Sequence, residues 1–240
     1  MTIYDAKLKS REEVATGTMA FYIEKPAGFT FKPGQAIDII LPESVVADPQ
    51  NARHTFSIVS ASDQNELIFA TRMRDSVFKN ALKVLPMGTT LKIEGPFGSL
   101  TLHNKRTRAA IFIAGGIGIT PFMSILQQAA HDKLPQEMTL LYANRRPEDA
   151  AFLANLQKLE QQNTHFRLVG VMSEMAKSSL PWSGETGLVD GKLIQRVVGD
   201  LESPVYYLVG PPAMVEAMRG ALNAIGVDDD DIRTEEFYGY

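Results

Sequence analysis

The 240-residue chain contains no cysteine. That excludes a disulfide framework, and it excludes any thiolate-ligated zinc or iron–sulfur cluster held by the chain itself. It does not fix a compartment, since a thiol-free chain tolerates reducing and oxidising media alike. The 4 histidines, His54, His103, His131 and His165, show no ligand spacing, so no metal site is expected. Cations are in the minority: 24 Lys and Arg stand against 28 Asp and Glu, a net charge of -4. Nucleic-acid binding needs a basic surface, so none is expected. No apolar run approaches the ~20 residues that cross a bilayer, so no membrane span is expected. The start, MTIYDAKLKSREEV, is too charged for a signal peptide, and a soluble cytoplasmic protein is the expectation. A Gly-x-Ser-x-Gly elbow is also missing, as is an ordered serine–histidine–acid set, which removes the common hydrolase readings.

What is present is an ordinary globular composition, 45% hydrophobic and 22% charged. Its texture changes near residue 105. Upstream, β-rich stretches (Met19 to Ile23, Ala36 to Leu41, Thr55 to Val59, Leu67 to Met73, Thr89 to Glu94) alternate with Pro/Gly-rich turns. Short strands separated by turns predict an antiparallel β-barrel over residues 1–104. One helix interrupts it, with Asp75 or Ser76 as cap and an apolar stripe of Val77, Phe78, Ala81, Leu82 and Leu85. Downstream, strands at Ala109 to Ala114, Met138 to Ala143, His165 to Met172 and Val205 to Val209 alternate with helices. That pattern predicts a doubly wound parallel α/β domain over residues 105–240, with Lys105-Arg106-Thr107-Arg108 as the linker. The acidic run Asp228 to Asp231 reads as a solvated turn, since it has no glycine-shaped loop to hold a cation.

The most informative local feature is Ala114-Gly115-Gly116-Ile117-Gly118-Ile119-Thr120-Pro121, which follows a strand and opens a helix. Gly116 and Gly118 leave room for a pyrophosphate to approach the backbone, and the helix start offers unpaired N–H groups to an anion. Thr120 suits the cap and Pro121 the first helical position. Glycines also serve any tight strand-to-helix turn, and the Gly-x-Gly-x-x-Pro spacing differs from the usual dinucleotide fingerprint. At the end of the next strand, Asn144, Arg145 and Arg146 stand where an acid often holds the ribose of NAD. Two arginines there lean toward a 2′-phosphate and NADPH, with a solvated loop as the alternative.

Five segments in order resemble the ferredoxin–NADP reductase superfamily across nearly the whole chain: Phe31-Lys32-Pro33-Gly34-Gln35, His54-Thr55-Phe56-Ser57, Gly95-Pro96-Phe97-Gly98, Gly115 to Pro121, and Val209-Gly210-Pro211-Pro212. The resemblance implies FAD as cofactor and NADPH or NADH as electron donor. It places Phe56 against the flavin or its ribityl chain, Ser57 at the reacting N5 edge, and Arg72, Met73, Arg74 and Ser76 at the pyrophosphate. Thr120 and the glycine turn would line the nicotinamide nucleotide together with Gly210 and Pro211. Phe237 or Tyr240 would cover the flavin, unless the tail is simply a frayed strand end. Three departures accompany it. His54 occupies the family's arginine position, so Arg53 or another basic residue must hold the phosphate. Val209 replaces a cysteine. No ferredoxin-type cysteine cluster is present, so electrons must leave to a separate partner such as an iron–sulfur protein, a flavodoxin or an oxygenase component. A free-flavin or quinone reductase and a nucleotide-sensing subunit with little turnover are the other functions compatible with these residues.

Overall fold

In the computed structural model of the chain, which describes residues 2–238, the charged stretch Ile3–Ala15 forms strand β1, 13 residues long. Apolar content does not reveal this strand. Only Ala6 and Leu8 are fully buried in it, and it is held chiefly through its main chain. Its antiparallel neighbours are β2 (Thr18–Glu24) on one side and β6 (Thr90–Phe97) on the other. With β3 (Ala36–Ile40), β4 (Arg53–Ser57) and β5 (Glu66–Arg72) they make a six-stranded antiparallel sheet ordered β4-β3-β6-β1-β2-β5. The two edge strands return toward each other: just past β4, Val59 N–H donates to the Ile68 carbonyl of β5 at 2.7 Å. Phe21, Phe56 and Phe69 fill the enclosed core, with Phe78 and Leu82 from helix α1 (Val77–Val84) closing one end. Ser76 caps α1 by accepting from Lys79 N–H at 3.2 Å, the role expected of it.

The second sheet is parallel throughout, ordered β10-β9-β8-β7-β11-β12. Its strands are β7 (Ala110–Gly115), β8 (Met138–Asn144), β9 (Phe166–Met172), β10 (Glu185–Thr186), β11 (Val205–Gly210) and β12 (Ile232–Glu236). Helices α2 (Thr120–His131) and α3 (Leu153–Gln162) cover one face, while α4 (Gly191–Val198) and α5 (Pro212–Ala224) cover the other. The short β10, the amphipathic α4 and the acidic β12 escape a reading based on apolar runs. The chain runs outward from β7 in both directions, so the order reverses between β7 and β11. In an open α/β sheet, that reversal leaves a crevice beyond the carboxyl ends of the two strands.

Residues 98–109 join the sheets, and this stretch is fastened down. His103 N–H donates to the Tyr207 hydroxyl at 2.9 Å, and Arg108 bonds the Ser203 carbonyl and pairs with Asp231 at 2.7 Å. The two halves also share a core. Ala20, Val59 and Ala70 of the first sheet pack with Phe122, Met123 and Leu126 of α2. Polar clasps reinforce the seam: Ser124 Oγ donates to the Ser60 carbonyl at 2.7 Å, and Gln127 Nε2 donates to the Val59 carbonyl at 3.1 Å. Among the described residues, no helix is long and apolar enough to cross a membrane.

Candidate functional site

The switch between β7 and β11 is built from backbone. After β7 the chain makes a 3-10 turn over Gly116–Ile119 and passes without a break into α2. Gly116 adopts φ 52°, a left-handed value that L side chains resist. Gly118 answers a different demand: a Cβ there would collide with the Val209 carbonyl of β11, so only glycine lets the turn lie against that strand. Pro121 sits in the first turn of α2, where its missing N–H leaves no bond unmade. Thr120 does not cap the helix, contrary to the expectation. The 3-10 turn already continues into α2, so Thr120 has helical geometry and its hydroxyl donates to the Ile117 carbonyl at 3.0 Å.

Beyond this turn lies a cleft of about 580 Å³, lined by Gly115, Gly116, Asn144, Arg145, Pro211 and Met214 among others. Asn144 is 8% exposed, and among the described residues neither its amide oxygen nor its amide nitrogen has a hydrogen-bond partner. A buried amide left unpaired costs about 1–3 kcal/mol per group, which makes it a marker for a missing ligand. A polar ligand able both to donate and to accept would satisfy it. The two arginines beyond Asn144 are already engaged. Arg146 makes two 2.8 Å bonds to Asp149, and Arg145 lies 3.7 Å from Glu174, whose carboxyl Lys177 holds below its ordinary pKa. Nearby, Glu148 accepts from Ser178 and Ser179 and is pulled down to about 2, first by main-chain N–H donors, including that of Ser179. Trp182 does not border this cleft; its ring lies over Gly170 and Gly184, and its Nε1 donates to the Glu185 carbonyl at 2.9 Å.

A second cleft of about 330 Å³ opens at the ends of β4 and β5, and Arg72 borders both. His54, Thr55, Phe56 and Ser57 line it from β4, Lys79 from α1, Thr120 from α2, and Glu235, Phe237 and Tyr238 from the C-terminal segment. Both volumes fall in the range of small-molecule sites. Phe56 faces two ways: it stacks on Phe69 with centroids 4.9 Å apart as part of the core, and it still reaches the cleft. Ser57 is 5% exposed, and its hydroxyl makes no hydrogen bond among the described residues. His54 stacks on Phe56 at 5.2 Å, and burial, then the Lys79 charge, pushes its pKa down, favouring the uncharged ring. Burial raises the Glu235 carboxyl. Phe237 is fixed by its N–H, which donates to the Gly210 carbonyl at 2.9 Å.

Arg53 does not line this cleft. Its guanidinium pairs with Asp38 at 2.8 Å and with Glu94, and the Thr55 hydroxyl also bonds Asp38. Arg74 borders the first cleft beside Arg72, whereas Met73 packs against the barrel core and Ser76 is occupied as a cap. Val209 is fully buried and contributes its carbonyl rather than a side chain. Tyr240 lies outside the described residues. Several cleft residues went unnoticed in the sequence, Lys79 and Glu235 among them. Lys79 carried a signal, as the basic residue three places after a helix cap; Glu235 carried none, because only the β11–β12 pairing brings it in. The described residues hold no group of three or more His, Asp and Glu placed to bind a metal.

Residues 112–220 match the family model for the oxidoreductase NAD-binding domain. The reductase component of propane 2-monooxygenase from Rhodococcus jostii (strain RHA1) is 27% identical over 89% of this chain and 57% of its own length. The chain thus spans about three-fifths of the curated relatives it matches. An Amycolatopsis cytochrome P450 reductase superposes with a TM-score of 0.83 at 22% identity, covering 98% of this chain and 70% of that one. A ferredoxin NADP+ reductase from Neisseria gonorrhoeae, solved with bound FAD and NADP, gives 0.80 at 20% identity, covering 98% of both chains. The antiparallel barrel and the parallel sheet behind it are the two-part fold of these solved reductases, and the second half matches the oxidoreductase NAD-binding domain.

Proposed function

We propose that the chain is a flavoprotein reductase that takes hydride from a nicotinamide nucleotide and passes the electrons to a separate acceptor. The observation that carries this reading is the pair of adjoining clefts, one ending at Ser57 and the other at the unpaired Asn144 amide, with Arg72 between them. FAD, when bound in the barrel cleft, would supply a hydride acceptor that can release electrons singly. The residues present suit it. Phe56 and the Ser57 hydroxyl offer an apolar face with one polar contact, and Phe237 stands where it would shield the opposite side. Ser57 can donate or accept, so it can serve a ring nitrogen in either protonation state. The glycine turn and α2 would hold the pyrophosphate of the donor, and Asn144 its adjacent polar groups. The chain's task is to hold the two rings together and exclude water, so no acid or base is required of it in the hydride step.

The arginine pairings bear on which donor is taken. Arg146 is neutralised by Asp149, and Glu174 faces Arg145, so a 2′-phosphate would meet negative charge as well as positive. That favours NADH over the NADPH to which the bare arginines pointed. The acceptor is proposed to be a protein redox partner, in line with the relative that serves as the reductase component of a monooxygenase.

The test is a visible spectrum of the FAD-reconstituted protein before and after anaerobic NADH and, separately, NADPH. Flavin absorbance should appear on reconstitution and bleach faster with NADH. Failure to take up FAD would sink the reductase reading, and bleaching by NADPH alone would reverse the donor assignment.

A further inference from the structure

We propose that Lys79, on the first turn of α1, is the cation that holds the phosphate of the flavin cofactor in this chain, and that Arg53 is not. The proposal rests on the barrel cleft being the flavin site and identifies what in that cleft recognises the anionic part of the cofactor.

Arg53 is spent. Its guanidinium is shared between Asp38 and Glu94 on the neighbouring strands β3 and β6, an arrangement that already balances its charge. Recruiting it would break two ion pairs and leave two carboxylates facing each other. Lys79 is in the opposite condition. It borders the cleft, it is half-buried, and no hydrogen bond or carboxylate holds its ammonium among the described residues. Burial, then the Arg74 charge, pushes its pKa down, so its charged form is strained as it stands. None of the acids around it pairs with it among the described residues: Asp75 accepts from Asn80 Nδ2 at 2.7 Å, Asp38 is held by Arg53 and Thr55, Glu236 accepts from the Tyr238 hydroxyl, and burial raises the Glu235 carboxyl toward its neutral form. His54 beside it stacks on Phe56 and meets Phe78 edge-on, and burial pushes its pKa down, which favours the uncharged ring over a competing cation. A desolvated cation with no counter-ion, in a cleft of ligand size, is relieved by an anion, and a phosphate ester is the anion a flavin nucleotide brings.

The substitution of lysine for arginine has a chemical signature. An ammonium is a compact point charge, without the two parallel N–H donors that a guanidinium offers to phosphate. Flavin binding should therefore be unusually sensitive to salt. It should depend on phosphate being present and little on which phosphate it is.

The experiment is a titration of the full apo-chain with FAD, FMN and riboflavin, followed by quenching of flavin fluorescence, at low and high salt. The variants are Lys79→Gln, Lys79→Arg and Arg53→Gln. A charge-assisted contact of about 1.5–3 kcal/mol corresponds to a loss of roughly 10- to 100-fold. Lys79→Gln should weaken FAD and FMN by that factor while leaving riboflavin within about twofold, and Lys79→Arg should recover part of the loss. Because riboflavin lacks the phosphate, a variant that merely loosens the cleft would weaken all three ligands, and that result would overturn the proposal. Unchanged FAD affinity in Lys79→Gln, or a tenfold loss in Arg53→Gln alone, would overturn it too while leaving the reductase reading intact. A wild-type chain that binds none of the three flavins would remove both.

Discussion

The two clefts meet at Arg72 but are built on opposite principles. At the β7–β11 switch the shape is set by main chain: Gly116 accepts a left-handed φ, Gly118 clears the Val209 carbonyl, and Pro121 opens α2. In the barrel cleft the shape is set by side chains drawn from distant parts of the chain, with Phe56, Lys79 and Thr120 converging from three elements and Phe237 from just past β12. Backbone-built sites fail by collision, whereas side-chain-built sites fail by truncation. Substitutions can separate the two.

The largest effect should come from truncating the barrel side. Phe56→Ala removes a ring that stacks on Phe69 and packs at a tilt against Phe78, and such a deletion costs about 3–5 kcal/mol. Thermal unfolding should shift down by about 10 °C, with flavin uptake lost in parallel. At the switch, Gly118→Ala should cost about 1–3 kcal/mol through overpacking against a carbonyl that cannot move aside. It should impair reduction by the nicotinamide nucleotide while flavin binding persists, which stopped-flow absorbance would show. If flavin and nucleotide functions fell together in Gly118→Ala, the contrast between the clefts would not hold.

Asn144→Ala sharpens the contrast in the other direction. Deleting two unpaired buried polar atoms should leave the melting temperature of the ligand-free chain unchanged or slightly raised. The same change should raise the KM for the nucleotide about tenfold, the loss expected for one or two hydrogen bonds. The smallest effect concerns Glu235. Burial raises its folded-state pKa above the unfolded value, so the folded chain holds that proton more tightly. Stability contributed by the protonated form is complete below the ordinary carboxylate range and declines as pH rises through the raised pKa. Glu235→Gln should flatten that part of the melting-temperature profile, and an unaltered profile would assign the pH dependence to other groups.

The same contrast explains what the sequence disclosed. Gly116, Gly118 and Pro121 are legible because their constraints act within one turn, between residues a few places apart. The alternation of strands and helices after residue 109 is legible for a related reason, since buried parallel strands are nearly all apolar. The barrel cleft is not legible in that way. Strand β1 hides behind its charges because only Ala6 and Leu8 turn fully inward, and Lys79 and Glu235 become neighbours of one cleft only after tertiary folding. Arg53 shows the hazard directly. Its place beside His54 made it a phosphate candidate, while the carboxylates opposite it come from β3 and β6, which linear sequence does not bring together. Thr120 shows a milder case, where a residue suited to capping was carried into the helix by the turn before it.

The seam between the halves has a consequence for modularity. Ala20, Val59 and Ala70 of the barrel share one apolar cluster with Phe122, Met123 and Leu126 of α2, and Ser124 and Gln127 bond across it. A fragment cut near residue 105 would expose the α2 side of that cluster, where Ala20, Val59 and Ala70 cover it, to water. Calorimetry should accordingly record a single cooperative melt rather than two. The nucleotide-binding half would be a poor cassette for transplantation, because part of what makes it soluble belongs to its neighbour.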